Sequence, residues 1–103
     1  MIKVSVFYPN RKDATFDIDY YCQRHMPLVQ RLVGSALKGV SVDHGLSGGE
    51  PSSPALYLAI GHLLFESVGD FERTFAPHAP EIMADVPKYT NLQPMIQISE
   101  VAL

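Results

Sequence analysis

Ile2, Val4, Val6 and Tyr8 alternate with Lys3, Ser5 and Phe7, the two-residue period of a strand. Pro9-Asn10 and the charged run Arg11-Lys12-Asp13 end it in a loop. Over Asp17 to Val33 the period lengthens to that of a helix. Tyr21, His25, Leu28 and Leu32 follow one another at spacings of four, three and four, which places them on one side. Thr15 or Asp17 suits its N-cap, Asp17 and Asp19 suit the positive end of its dipole, and Gly34 suits its C-terminus. Alternation returns from Leu37 to Leu46, and Gly45 to Pro54 reads as a flexible hairpin connection. Ala55 to Phe65 is apolar on both faces, the mark of a central strand. Ser67 caps a second helix, with Asp70 at the capping-box position and Val68, Phe71 and Phe75 as its inner stripe. Pro77 and Pro80 interrupt that helix, a short turn follows around Glu81 to Ala84, and Asp85 to Thr90 is irregular. Met95 to Val101 is a last strand with Ile96 and Ile98 on one face.

The order strand, helix, strand, strand, helix, strand predicts an α+β, ferredoxin-like βαββαβ fold: a four-stranded antiparallel sheet with two helices on one face. At 103 residues the chain suits one domain over 1–103. With Val4, Leu58 and Ile98 turned toward the helices, strict alternation turns Phe7, Tyr57, Leu63 and Phe65 away from them. So large an apolar face is seldom left open. A second sheet packed against it is the simplest remedy, which predicts a homodimer joined through its sheet faces.

Composition adds mainly exclusions. Net charge is −3, and the lysines and arginines are scattered, so no phosphate backbone is implied as partner and nucleic-acid binding is not expected. No apolar run reaches about 18 residues, and no basic segment followed by a long apolar run opens the chain. The expectation is a cytoplasmic protein without a membrane partner. Cys22, the one cysteine, reads as a small buried thiol in a reduced setting.

Candidate chemistry centres on two anomalies in the first helix. His25 lies on its apolar side, and Pro27 follows two residues later. Pro27 lacks an amide hydrogen and clashes with the carbonyl of Gln23, at a cost of about 3 kcal/mol in a helix interior. A bent helix with an inward imidazole can wall a small pocket. His25 is the candidate catalytic residue, exchanging a proton with an enolisable or phenolic ligand. Tyr21, one turn away, would hold a ligand oxygen or fix the ring. The competing reading is that His25 hydrogen-bonds a nearby carbonyl and stabilises the bend. Tyr20, Leu28, His62, Phe65, Phe71, Phe75 and Met83 are candidate ligand-binding residues, His62 because it shares a face with Leu58 and Ile60 in the strand phase above. Asp85 reads as the partner of an arginine or of backbone amides. His44 and His62 lack the third ligand a catalytic zinc needs, so no metal is expected. Gly45, Gly48 and Gly49 sit in a hairpin rather than in a strand–glycine–helix turn, so no nucleotide cofactor is expected either.

The segment DIDYYCQRHMPLVQRLVG resembles the signature of the EthD family through Asp19, Tyr20, Tyr21, His25, Pro27 and Leu28. Two later stretches match in order: LFESVGDFERTF, and ADVPKYTNLQPMIQISEV through Asp85, Pro87, Tyr89, Thr90 and Pro94. The resemblance implies a dimeric α/β barrel with a pocket between sheet and helices in each subunit. It implies a place in oxidative degradation, where the founding member is associated with ether breakdown beside a cytochrome P450 system, or in secondary metabolism. Relatives are often called reductases, and proteins of similar build act as decarboxylases, dehydratases or cyclases. The expectation is an enzyme or accessory factor acting on a small apolar or aromatic ligand by His25-assisted proton transfer, with no tightly bound cofactor. The alternatives are a non-catalytic ligand-binding protein and a haem-dependent monooxygenase.

Overall fold

The alternating residues at the start of the chain form β1, Ile2–Pro9, and in the computed structural model, which describes residues 1–103, this strand lies inside the sheet. It pairs antiparallel with β3, Tyr57–Phe65, on one side and with β4, Met95–Glu100, on the other. β2, Gly39–His44, pairs antiparallel with β3 at one edge, giving the order β2-β3-β1-β4. This is the ferredoxin-like α+β arrangement. No helix is long and apolar enough to cross a membrane.

The first helical segment is continuous but not uniform. It runs through α1, Ile18–Tyr20, a five-residue π turn, Tyr21–His25, and α2, Met26–Val33. Asp17 caps it, its carboxylate accepting the Tyr20 amide at 3.0 Å, and Gly34 ends it at φ 78°. The π turn is the backbone's answer to Pro27. In a straight α-helix the proline ring would press on the Gln23 carbonyl. Here the coil widens instead, and the Met26 amide donates to the Tyr21 carbonyl five residues back. Pro27 then falls in the first turn of α2, where a missing amide hydrogen leaves no bond unmade.

That widening moves the buried stripe. Tyr21 and His25 are buried as their spacing predicts, but beyond the turn the buried positions are Met26, Val29 and Val33. The predicted continuation through Leu28 fails: Leu28 is half-buried and lies on an outer groove. Cys22, expected to be buried, is exposed.

The second segment comprises α3, Val68–Phe75, and α4, Ala79–Asp85, followed by a single 3₁₀ turn, Val86–Lys88. Ser67 caps α3, its hydroxyl accepting the Asp70 amide at 3.1 Å. Pro77 and Pro80 interrupt the segment as predicted, but each lies at the first or second position of a new helical turn. The chain therefore resumes as a helix where a loose turn was expected.

The predicted phase of the third strand holds at its start and inverts afterwards. Pro9 pairs with Tyr57 and Tyr8 with Ala59, so β3 carries one extra residue at a bulge. Tyr57 stays on the outer face, its ring 5.1 Å from that of Phe7. Beyond the bulge Leu63 pairs with Val4 and Phe65 with Ile2, and both are buried under the helices. Ile60, His62 and Leu64 face outward instead. One residue of slip exchanges the two faces, and strict alternation cannot register it.

Gly61, between Ala59 and Leu63 on the inner face, lets the Tyr21 ring lie against the sheet. A β-carbon at this position would collide with the Tyr21 hydroxyl. Gly61→Ala should therefore destabilise the protein by about 1–3 kcal/mol in denaturant unfolding. Tyr21→Phe in the same chain should recover part of that loss, because the colliding atom is removed.

Candidate functional site

Tyr21 and His25 project from the π turn toward the sheet, and their rings stack at 5.4 Å with an interplanar angle of 13°. Beneath them Tyr8 from β1, Phe16 from the loop before α1, and Tyr89 pack with Tyr21 and with one another at centroid separations of 4.9 to 5.9 Å. Most of these contacts are edge-to-face, the favoured aromatic geometry. Tyr89 arrives here because the backbone after the 3₁₀ turn is pinned to the start of α1. The Asp17 amide donates to the Tyr89 carbonyl at 2.7 Å, and the Thr90 hydroxyl donates to the Thr15 carbonyl at 2.6 Å.

The polar atoms of this cluster form a chain. His25 is 4 % exposed and Asp85 8 %, and Nδ1 of His25 lies 2.9 Å from Oδ2 of Asp85. A carboxylate only accepts, so His25 is the donor, and its Nε2 is left with the lone pair. The other Asp85 oxygen accepts the Tyr20 hydroxyl at 2.8 Å and lies 3.6 Å from the Lys88 ammonium. On the far side of the imidazole, the Tyr89 hydroxyl stands 3.4 Å from Nε2 and 2.7 Å from the Tyr8 hydroxyl.

Burial sets the electrostatics. It pushes the His25 imidazole below its usual value, a shift that Asp85 only partly offsets. Burial alone would raise Asp85, but the bonds from His25 and Tyr20 and the nearby charges hold it below the usual carboxylate range. At neutral pH the pair is thus a neutral imidazole bound to a carboxylate. Burial also pushes Tyr8, Tyr21 and Tyr89 well above the ordinary phenol range, so all three stay protonated donors.

His25 opens on a narrow cleft between the helices and the sheet with a free volume of about 40 Å³. Its walls are mostly apolar, and it also borders Tyr8, Tyr21, Phe75, Met83 and Ile96. Met83 and Ile96 are about half exposed, at 44 % and 51 %.

Of the predicted site residues, Tyr21, His25, Phe75 and Met83 meet on this cleft. Tyr20 and Leu28 lie instead on the outer groove between the two helical segments, where Tyr20 reaches Asp85 from behind. Phe65 is fully buried core with Phe71 packed on it at 5.3 Å, and neither lines the cleft. His62 does not share a pocket with His25. It lies on the opposite face of the sheet, where Ser5 Oγ is 3.2 Å from its Nδ1 and Asp43 is 2.9 Å from its Nε2. The inverted phase of β3 is the reason. No group of three His, Cys, Asp or Glu side chains gathers in a way that could hold a metal ion.

Three residues of the cluster escape reasoning from pattern: Asp85, Tyr89 and Tyr8. Asp85 and Tyr89 are both in the third motif, and their spacing of four was the available signal. Tyr8 reads from its period simply as a strand residue facing the core.

A family model described as the EthD domain matches residues 11–93. Among solved structures, an EthD-like protein from Ralstonia eutropha is 39 % identical, with a TM-score of 0.95 over 99 % of this chain and 92 % of its own. An ethyl tert-butyl ether degradation family protein from Bacillus halodurans is similar at 15 % identity and a TM-score of 0.71, covering 97 % of each chain. A protein of unknown function from Bacteroides fragilis, described as dimeric and ferredoxin-like, is similar at 11 % identity and a TM-score of 0.61, over 96 % of this chain and 94 % of its own. The last two likenesses are likenesses of fold. No curated protein matches the chain.

The geometry of the pair has a measurable sign. The folded His25 value lies below the unfolded one of about 6.5, so the unfolded chain binds a proton first as pH falls. Its contribution to stability should decline from about pH 6.5 downward, and His25→Gln should flatten that part of the curve. In an NMR titration, Asp85→Asn should move the His25 midpoint further down, since it removes the one partner that favours the imidazolium.

Proposed function

We propose that this chain, which belongs to the EthD family, is an enzyme that binds a small, largely apolar ligand in the cleft and moves a proton to or from it through His25. The observation that carries the reading is the His25–Asp85 bond at 2.9 Å, which leaves Nε2 as the basic nitrogen of a neutral ring that borders an apolar cavity. Asp85 positions the ring and stabilises the imidazolium that forms when Nε2 takes a proton, the role a buried carboxylate plays behind a general base. Tyr21 assists by holding a ligand oxygen. Phase-shifted Met26 and half-exposed Met83 complete the apolar lining, and Met83 is a flexible thioether able to turn aside for a ligand larger than the resting cleft.

The ligand chemistry that suits this site is a carbon acid next to a carbonyl, or a phenol, on an apolar body. Such compounds arise in oxidative degradation and in secondary metabolism. The alternative reading is a non-catalytic binding protein of the same pathway.

Incubating the protein with a panel of aryl ketones in D₂O and following α-proton exchange by NMR separates these readings. Exchange by the wild-type protein that falls by roughly 10²–10⁴-fold in His25→Gln, with the circular dichroism spectrum unchanged, is the expected result. Equal exchange in the variant would overturn the assignment. Binding without exchange in the wild type would support the carrier.

The outer sheet face supports a homodimer. Phe7, Tyr57, Ile60, Leu64 and Met95 lie on it around the polar pair of His62 and Asp43, and a second copy would cover this apolar area. Sedimentation should give twice the chain mass, and Ile60→Asp should shift the protein to monomer.

A further inference from the structure

Asp85 stands between two surfaces of the protein. It lines the outer groove with Tyr20, Arg24, Arg31, Glu81 and Lys88, whereas His25 borders the inner cleft. Their bond crosses from one side to the other. The ion pairs of Asp85 are with His25 and Lys88 alone, and the aromatic groups against His25, Tyr21 and Tyr89, are neutral. Two groups therefore act on the outer oxygen. The Lys88 ammonium stands 3.6 Å away on a side chain that is 67 % exposed, a contact weakened by solvent and by the freedom of the chain. The Tyr20 hydroxyl donates at 2.8 Å, and Tyr20 is held from two sides. Its amide donates to the Asp17 carboxylate at 3.0 Å, and its ring stacks on that of Tyr89 at 6.1 Å and 21°. The bond to Asp85 pushes the Tyr20 phenol above its ordinary value, so the donor persists at neutral pH.

We infer that Tyr20 is a positioning residue for His25: by holding the outer oxygen of Asp85 it draws charge from the inner one and limits how strongly the carboxylate favours the imidazolium. This deepens the proton-transfer reading and rests on it. Tyr20 touches no ligand in the cleft, since it lies on the far side of Asp85. Its effect passes through the carboxylate, because a hydrogen bond to one oxygen stabilises the charge that both oxygens share. Groove water is no substitute of equal strength. A phenol is more acidic than water by about 5–6 pH units, and a water molecule there is free to turn. The consequence for the base follows from proton-transfer balance. A general base works best when it can both take a proton and give it back near the working pH. An Asp85 without its outer donor would hold the imidazolium too well, and the ring would already carry a proton when the ligand arrived.

The test is an NMR titration of His25 in Tyr20→Phe, which keeps the ring and its stacking on Tyr89. Losing the hydroxyl should raise the His25 midpoint by about 0.3–1 pH unit, a two- to tenfold gain in proton affinity. That is opposite in sign to Asp85→Asn. In the D₂O exchange assay, the acid limb of the rate, where His25 is already protonated, should move up by the same amount. A hydroxyl that merely braced the carboxylate would act the other way, since a loosened Asp85 favours the imidazolium less. A midpoint that falls or stays put overturns the inference and leaves wild-type exchange standing by itself. Wild-type protein that exchanges no α-proton overturns the proton-transfer reading, and the part of Tyr20 in it, whatever the midpoint does. Should circular dichroism show Tyr20→Phe unfolded, 3-fluorotyrosine placed at position 20 alone decides. This stronger donor should lower the midpoint, and an unmoved midpoint overturns the inference.

Discussion

Asp85 is a carboxylate that has to be taken out of water for the two helical segments to close over the sheet. A buried charge is tolerated only when its oxygens are satisfied, and here each oxygen has its own clientele. One accepts from His25 on the inside, the other from Tyr20 at the outer groove, with Lys88 beyond. The bond spans 60 positions of sequence and joins the π turn to the end of α4. It therefore fixes the tautomer of the imidazole and the seating of the helical layer in one step. Losing either partner would leave a charge or a donor stranded in an apolar wall.

Around that pair the protein builds with tyrosine where phenylalanine would fill the same space. Tyr8, Tyr21 and Tyr89 are all nearly inaccessible, and their rings supply the packing area of a small core. Each also carries a hydroxyl inward, and these hydroxyls find each other and His25. The apolar requirement of the fold and the polar requirement of a site are met by the same side chains. This is economical in a chain of 103 residues, which has little interior to spare.

How much of this is legible in the sequence depends on what disturbs simple periodicity. The α+β order is legible because period and punctuation agree at Pro9, Asp17, Gly34 and Ser67. His25 is legible because an ionisable residue interrupts an apolar stripe, and Pro27 announces a distortion. The failures have local causes. A bulge opposite Pro9 turns Leu63 and Phe65 inward and His62 outward, and no alternation rule carries information about an inserted residue. A widened coil at residues 21–25 moves the stripe from Leu28 to Met26 and Val29. Asp85 is visible as a residue but not as the partner of His25, since the contact depends on how two helices 60 residues apart are seated.

The five-residue turn between Tyr21 and His25 acts as a spacer in angle rather than in length. Each residue of an ordinary helix turns the next side chain by a fixed increment, so a helix alone cannot present an imidazole and a following hydrophobic ridge at independently chosen bearings. Widening a single turn uncouples the two. The histidine keeps its bearing toward the sheet while everything downstream is rotated into contact with the second helical segment. Without the widened turn the coil would be regular, and the ridge of Met26, Val29 and Val33 would fall out of register with the face that His25 occupies.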